Sequence, residues 1–133
     1  MLDEKRLAYL ESMDLRQLRN EARMILDLLD KARERVLAAK QQAEEAQERS
    51  DAIETALTLT EAYSAGKNAE IRAAWLKSQR TQDAELAAAL GTASRLRDTM
   101  AMEEASREHL SRAYQLTLAE IHLAAAELAF LAE

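Results

Sequence analysis

Ala65, Gly66, Lys67, Asn68, Ala69 and Glu70 form the stretch whose reading decides the fold. Gly is the residue best able to take the left-handed conformation at a helix C-terminal cap. Two residues on, Asn68 suits an N-cap, and Glu70 falls in the next first turn, where a negative charge meets the positive end of the macrodipole. One helix is expected to end here and another to begin. Helical segments of nearly equal length lie on either side, so this stretch reads as the fold-back point of a long antiparallel hairpin.

Upstream, a heptad runs from Leu15 for more than six repeats. Its a positions are Leu15, Ala22, Leu29, Val36, Ala43, Ser50 and Leu57, and its d positions are Leu18, Ile25, Ala32, Ala39, Ala46, Ile53 and Thr60. No charged residue intrudes. The pattern predicts a helix over 15–62, roughly 72 Å long at 1.5 Å per residue. Its small central residues let a neighbouring helix come close, while Leu and Ile at the ends bury more apolar area. Before it, residues 1–13 carry Leu2, Leu7, Tyr9 and Leu10 and read as a short N-terminal helix. Asp14 with Gln17 three residues later fits a capping box for a fresh start.

Downstream, residues 63–82 form the tip, with a short helix ending near Gln79 or Arg80. Its Ile71 and Trp75, four apart, share a face expected to cover the open end of the hairpin. Thr81 or Asp83 can cap the return helix, expected over 83–132. Leu86, Ala89, Ala93, Leu96 and Met100 begin its seam, Glu103 and Arg107 interrupt it, and Leu110, Tyr114, Thr117, Ile121, Ala124, Leu128 and Leu131 resume it. A second stripe of Met102, Ala105, His109, Ala113, Leu116, Leu123 and Phe130 lies on a neighbouring face, and two stripes call for two partners. Glu103 and Arg107 either set register against the partner helix or mark rotation of the seam onto that second stripe, and rotation is the favoured reading. Gly91 could instead be the turn, but Leu86, Ala89, Ala93 and Leu96 cross it in phase, which favours continuity.

Composition supports one elongated all-α domain over 1–133. The chain has 2 Gly, no Pro and 4% aromatic residues, with Ala, Leu, Glu, Arg and Gln abundant, the composition of long helices or coiled coils. Without Pro nothing forces a break in a long helix. The net charge of −6 argues against a general nucleic-acid coat or an anionic-membrane binder. No cysteine means no disulfide framework, which suits a reducing cytoplasm. The N-terminus has no apolar signal core and no run of 18 apolar residues exists, so no membrane span is expected.

Chemistry is sparse, and the chain reads as a non-enzyme with no catalytic, cofactor or metal site. Lys67 after Gly66 hints at a phosphate loop, but Glu61 stands where the first glycine should and Asn68 where Ser or Thr should. His109 and His122 have no carboxylate or second imidazole on their own helical faces, which favours packed or half-exposed histidines over ligands. Clustered Glu44, Glu45 and Glu48, like Glu103, Glu104 and Glu108, fit solvated helix faces.

Charge distribution says more. Residues 63–82 carry 4 basic and 1 acidic side chains, against 10 and 14 in residues 1–62 and 4 and 9 in residues 83–133. The tip is the basic part of an acidic protein. Its Lys67, Arg72, Lys77 and Arg80, with Tyr63 and Trp75 among them, could grip a phosphate backbone or an acidic protein surface. The plainer reading, in which Trp75 closes the hairpin and the cations stay solvated, is preferred. At the other end Leu116, Ile121, Leu123, Leu128, Phe130 and Leu131 make a segment apolar nearly all round. A two-helix hairpin cannot cover it, so the N-terminal helix, a second copy of the chain, or both are expected there, making a homo-oligomer.

The run Ala65, Gly66, Lys67, Asn68, Ala69, Glu70, Ile71 and Arg72, between a long Ala, Glu and Arg rich helix and a short then a long one, resembles small helical-hairpin proteins of bacteriophages and prophages with a Gly-Lys-Asn turn. The likeness covers about eight residues and brings no catalytic residues. It implies a phage accessory protein acting on host defence or DNA metabolism. Two roles follow: an interaction protein binding a host protein, or, as the alternative, a nucleic-acid accessory factor using the basic tip.

Overall fold

The computed structural model describes Glu4 and residues 15–132, and everything described between 15 and 132 is helix or short connection. The N-terminal helix expected over 1–13 and the cap at Asp14 lie outside the described residues. Four helices follow in order: α1 (Leu15–Thr58), α2 (Glu61–Ser64), α3 (Ala69–Gln82) and α4 (Ala84–Ala132). The two long ones pack together as a helical hairpin.

The α1 heptad is the face that packs. Ala22, Leu29, Ala32, Val36, Ala39, Ala43, Ala46 and Ser50 are buried, and every one of them is an a or d position. The remaining positions, Leu15, Leu18, Ile25, Ile53, Leu57 and Thr60, are half-buried. Ser50 is 1% exposed, yet its hydroxyl donates to the Gln47 carbonyl at 2.9 Å. A buried hydroxyl satisfied inside its own helix leaves no unpaired polar atom in the seam.

Helix α1 stops at Thr58, four residues short of the expected Ala62. The hydroxyls of Thr58 and Thr60 donate to the carbonyls of Thr55 and Leu57 at 2.6 and 2.7 Å. Leu59 and Thr60 donate their amides three residues back, to Ala56 and Leu57, so the last turn tightens. Thr60 then leaves the helix in an extended conformation, φ −83° and ψ 154°, and its hydroxyl accepts from the Tyr63 amide to cap α2. The long helices are therefore 44 and 49 residues, not equal within one residue.

Gly66 does not serve as a left-handed cap. Its φ lies outside that region, and the C-cap of α2 is Ala65, right-handed at φ −69° and ψ −16°. Glycine is required there by a close approach. A Cβ on Gly66 would stand 2.7 Å from Cγ of Arg72 and 3.3 Å from the Tyr63 carbonyl oxygen. The N-cap expectation is met as stated: Asn68 is extended, and its Oδ1 accepts from the Ile71 amide at 2.9 Å.

Asp83 makes the last turn. Its amide donates to the Gln79 carbonyl at 2.9 Å, ending α3 at Gln82, and its Oδ1 accepts from the Leu86 amide at 2.9 Å, capping α4. Gly91 lies inside α4 with open space beside it, as continuity of the pattern requires.

The α4 seam keeps its phase. Leu86, Ala93 and Thr117 are buried, and Ala89, Leu96, Met100, Glu103, Leu110, Tyr114, Ile121, Ala124, Leu128 and Leu131 are half-buried, while Arg107 is exposed. The rotation expected at Glu103 does not occur. Glu103 stays in the seam and accepts at 3.0 Å from Nε of Arg35 on α1, rather than pairing with Arg107. Among the second-stripe residues only Ala113 is half-buried, and the others are exposed.

By compactness the described chain divides into two units, residues 15–34 with 104–132, and residues 35–103. In the second, stepping forward along α1 from Arg35 to Ile53 steps the neighbour back along α4 from Glu103 to Glu85, the antiparallel sense. In the first, Leu29 and Arg33 share a groove with Arg107, Glu108 and Ser111.

Candidate functional site at the hairpin tip

The tip is built by short-range polar bonds more than by apolar packing. Thr60 caps α2, Asn68 caps α3, and Asp83 both ends α3 and starts α4. Neither α2 nor α3 contains a buried residue. What joins them is the edge-on contact of the Tyr63 and Trp75 rings, with centroids 6.1 Å apart and planes at 61°. Such a pair adds about 0.5–1.5 kcal/mol beyond the area it buries.

Arg72 is the second fastener. Its Nη1 donates to the Gly66 carbonyl at 3.2 Å, its amide donates to the Asn68 carbonyl at 3.1 Å, and its stem lies over the Gly66 α-carbon. Arg80 is held too, with Nη2 at 3.2 Å from Oε1 of Glu54 on α1. Being partly exposed, this pair contributes at most about 1 kcal/mol. Lys67 and Lys77 are exposed, and among the described residues neither forms an ion pair. Of the four cations assigned to the tip, two are spent on its own structure and two are free.

The face α3 turns inward differs from the expected one. Arg72, Trp75, Leu76 and Gln79 are half-buried at helical spacing, whereas Ile71 is 48% exposed. At about 100° per residue, Ile71 sits too far round from that face to cover the hairpin end. Leu76 shares a groove with Asp51, Glu54, Thr55 and Thr58 of α1. Leu59, in the break after α1, is 82% exposed and is the most exposed large apolar residue of the molecule's described part. Neither Leu59 nor the role of Glu54 stands out in the sequence. The tip thus presents Leu59, Ile71, Lys67 and Lys77 outward.

At the base, the six residues expected to form one contact set belong to two faces. Ile121, Leu128 and Leu131 are half-buried seam residues, while Leu116, Leu123 and Phe130 are 64%, 63% and 78% exposed. Of the packed or half-exposed settings expected for His109 and His122, the packed one is not found, and both are exposed. Among the described residues no three His, Cys, Asp or Glu side chains are grouped to hold a metal ion, and no helix is long and apolar enough to cross a membrane. The groove beside the tip, lined by Arg49, Ile53, Leu57, Thr60, Asp83 and Glu85, uses its Asp83 carboxylate as a helix cap. Comparison with protein-family models, with curated proteins and with solved structures found no match.

Proposed function

We propose that the chain is a non-enzymatic interaction protein whose hairpin, a coiled coil, carries the tip to a protein partner. The observation that carries this reading is the outward set at residues 59–77: two exposed apolar side chains, Leu59 and Ile71, and two exposed lysines free of ion pairs, Lys67 and Lys77, on a turn fastened by Arg72 and the Tyr63–Trp75 contact. A partner surface that offers apolar pockets and carboxylates complements such a set, since buried apolar anchors supply affinity and charges supply rate and register. The resemblance of residues 65–72 to phage hairpins makes a host macromolecule in the cytoplasm our choice of partner.

Nucleic acid is the weaker alternative. Single-strand binding uses free cations and aromatic faces for stacking. Here Arg72 and Arg80 are engaged, and the two rings are turned onto one another. The test is paired. Affinity capture from host lysate is run with the wild-type chain and with Leu59→Glu/Ile71→Glu, and a gel shift with single- and double-stranded DNA is run at low salt. A protein retained by the wild type and lost by the variant supports the proposal. A shift abolished by Lys67→Glu with Lys77→Glu, and no such protein, would replace it with the nucleic-acid reading.

A further inference from the structure

The tip continues the register of the hairpin below it. Arg35 is paired with Glu103; moving equally far forward on one side and back on the other reaches Tyr63 and Trp75, whose rings touch, and then Gly66 and Arg72, which are hydrogen-bonded. The inward face of α3 is also in phase with α4. The seam of Leu96, Ala93, Ala89 and Leu86, counted back past Asp83 in the same steps of three and four, falls on Gln82, Gln79, Trp75 and Arg72, and all but Gln82 are half-buried. The tip is one more piece of the same two-helix pattern, cut off by a break on each side. Both breaks are small. At Thr60 and Asp83 φ is −83° and −79°, within the scatter of a helix, and only ψ, at 154° and 115°, departs from the helical value of about −42°. The Asp83 amide donates to Gln79 and its carbonyl accepts from Ala87, each at 2.9 Å, as in an unbroken helix, and the Ser64 amide likewise donates to the Thr60 carbonyl at 3.2 Å. Leu76 is what departs from the register. It belongs across from Ala62, yet it shares a groove with Asp51, Glu54, Thr55 and Thr58, so α3 is folded down towards the end of α1.

We infer that Thr60 and Asp83 are the two pivots of a hinge. The tip, residues 61–82, turns on them as one block between a latched position, with Leu76 against α1, and a straight one in which both long helices run on to the turn at Gly66, Lys67 and Asn68. Hinges are formed by a few element-terminal residues that absorb the change in backbone angles, and here one ψ rotation on each side suffices. The hydrogen bonds exchange one for one. The Leu86 and Tyr63 amides, now capped by the Asp83 and Thr60 side chains, pass to the carbonyls of Gln82 and Leu59 four residues back. The Tyr63–Trp75 contact and the Arg72–Gly66 bond lie inside the block and travel with it, and neither α2 nor α3 has a buried residue to expose. Only Leu76 in its groove and the Arg80–Glu54 bond hold the block down. Straightening uncovers Leu76 and adds an apolar side chain to the outward set, a consequence that rests on the tip being the docking site. The hinge itself needs no partner.

The test therefore uses the full chain alone. It has no cysteine, so Lys40→Cys with Ala74→Cys, both at exposed positions, takes one spin label on α1 and one on the tip, and pulsed electron paramagnetic resonance reads the distance between them. In the otherwise unchanged chain the shorter, latched distance is expected to dominate. Leu76→Glu sets a third carboxylate beside Asp51 and Glu54 and should release the latch, lengthening the distance by roughly 10 Å, the rise of the several helical residues through which Leu76 is displaced. Leu76→Lys, whose cation the same two carboxylates attract, should keep the short distance. Helicity in Leu76→Glu should hold or rise, and emission from Trp75, the single tryptophan, should not change, because its contact with Tyr63 moves with the block. An unchanged distance in Leu76→Glu would overturn the inference. So would a broad spread of distances with lost helicity, which means that the tip unfolds instead of turning. Failure to find a tip partner leaves these distances as they are, so the hinge and the docking role succeed or fail separately.

Discussion

Helices α1 and α4 are both longer than forty residues and pack on each other, yet they meet the solvent differently. On α1, all the fully buried residues fall on one heptad stripe. On α4 the seam holds only three fully buried residues, and a second apolar stripe near its end stays in solvent. The difference follows from what each face has to touch. A helix with one apolar stripe is satisfied by one neighbour; a helix with two is satisfied by one neighbour only in part.

That contrast can be broken most forcefully in the seam. Leu29 and Leu86 are among the largest fully buried side chains, and Leu29→Ala or Leu86→Ala should cost about 2–5 kcal/mol in urea unfolding. Leu123→Ala, the same chemical change on the exposed stripe, should cost under about 0.5 kcal/mol in dilute monomer. Equal losses at the two sites would erase the distinction between the faces.

At the tip the expected effects are smaller. Gly66→Ala drives a Cβ to 2.7 Å from Arg72 Cγ and should destabilise by about 1–3 kcal/mol, the range for overpacking. Combined with Arg72→Gly, which removes that stem, much of the added cost should vanish, and a double-mutant cycle in urea measures the coupling. Additive losses would mean that the Arg72 stem is not what demands glycine, leaving the 3.3 Å approach to the Tyr63 carbonyl oxygen as the crowding contact. Asp83→Ala removes the cap of α4 and should cost about 1 kcal/mol. Gly91→Ala, with nothing near its added methyl, should raise stability by up to about 1 kcal/mol, read as a shift in thermal midpoint.

The sequence carries the α1 face in full because its rule is simple: no charge occupies a seam position, so period alone identifies what is buried. Asn68 and Asp83 are equally legible, since capping is a local bond between a side chain and an amide three residues on. Other features depend on geometry that local pattern does not encode. Thr58 and Thr60 end α1 because their hydroxyls compete for carbonyls of the preceding turn, while the heptad itself runs through them. Gly66 looks like a left-handed cap until the path of Arg72 across it is known. Glu103 reads as a partner for Arg107, four residues away, but the antiparallel register brings Arg35 to it instead. The tip cations are visible as charges, and only the fold separates Arg72 and Arg80, which fasten it, from Lys67 and Lys77, which face outward.

The antiparallel register of residues 35–103 is the claim on which the tip depends, and one cross-linking experiment addresses it. Arg35→Cys/Glu103→Cys, treated in dilute solution with a thiol-reactive linker of about 10 Å, spans the positions of the observed ion pair and reaches across neighbouring helices. The account predicts rapid closure within a single chain, and none for Arg35→Cys/Glu85→Cys, whose second cysteine lies far along α4. Closure of the second pair, or linkage of the first only between chains, would contradict it.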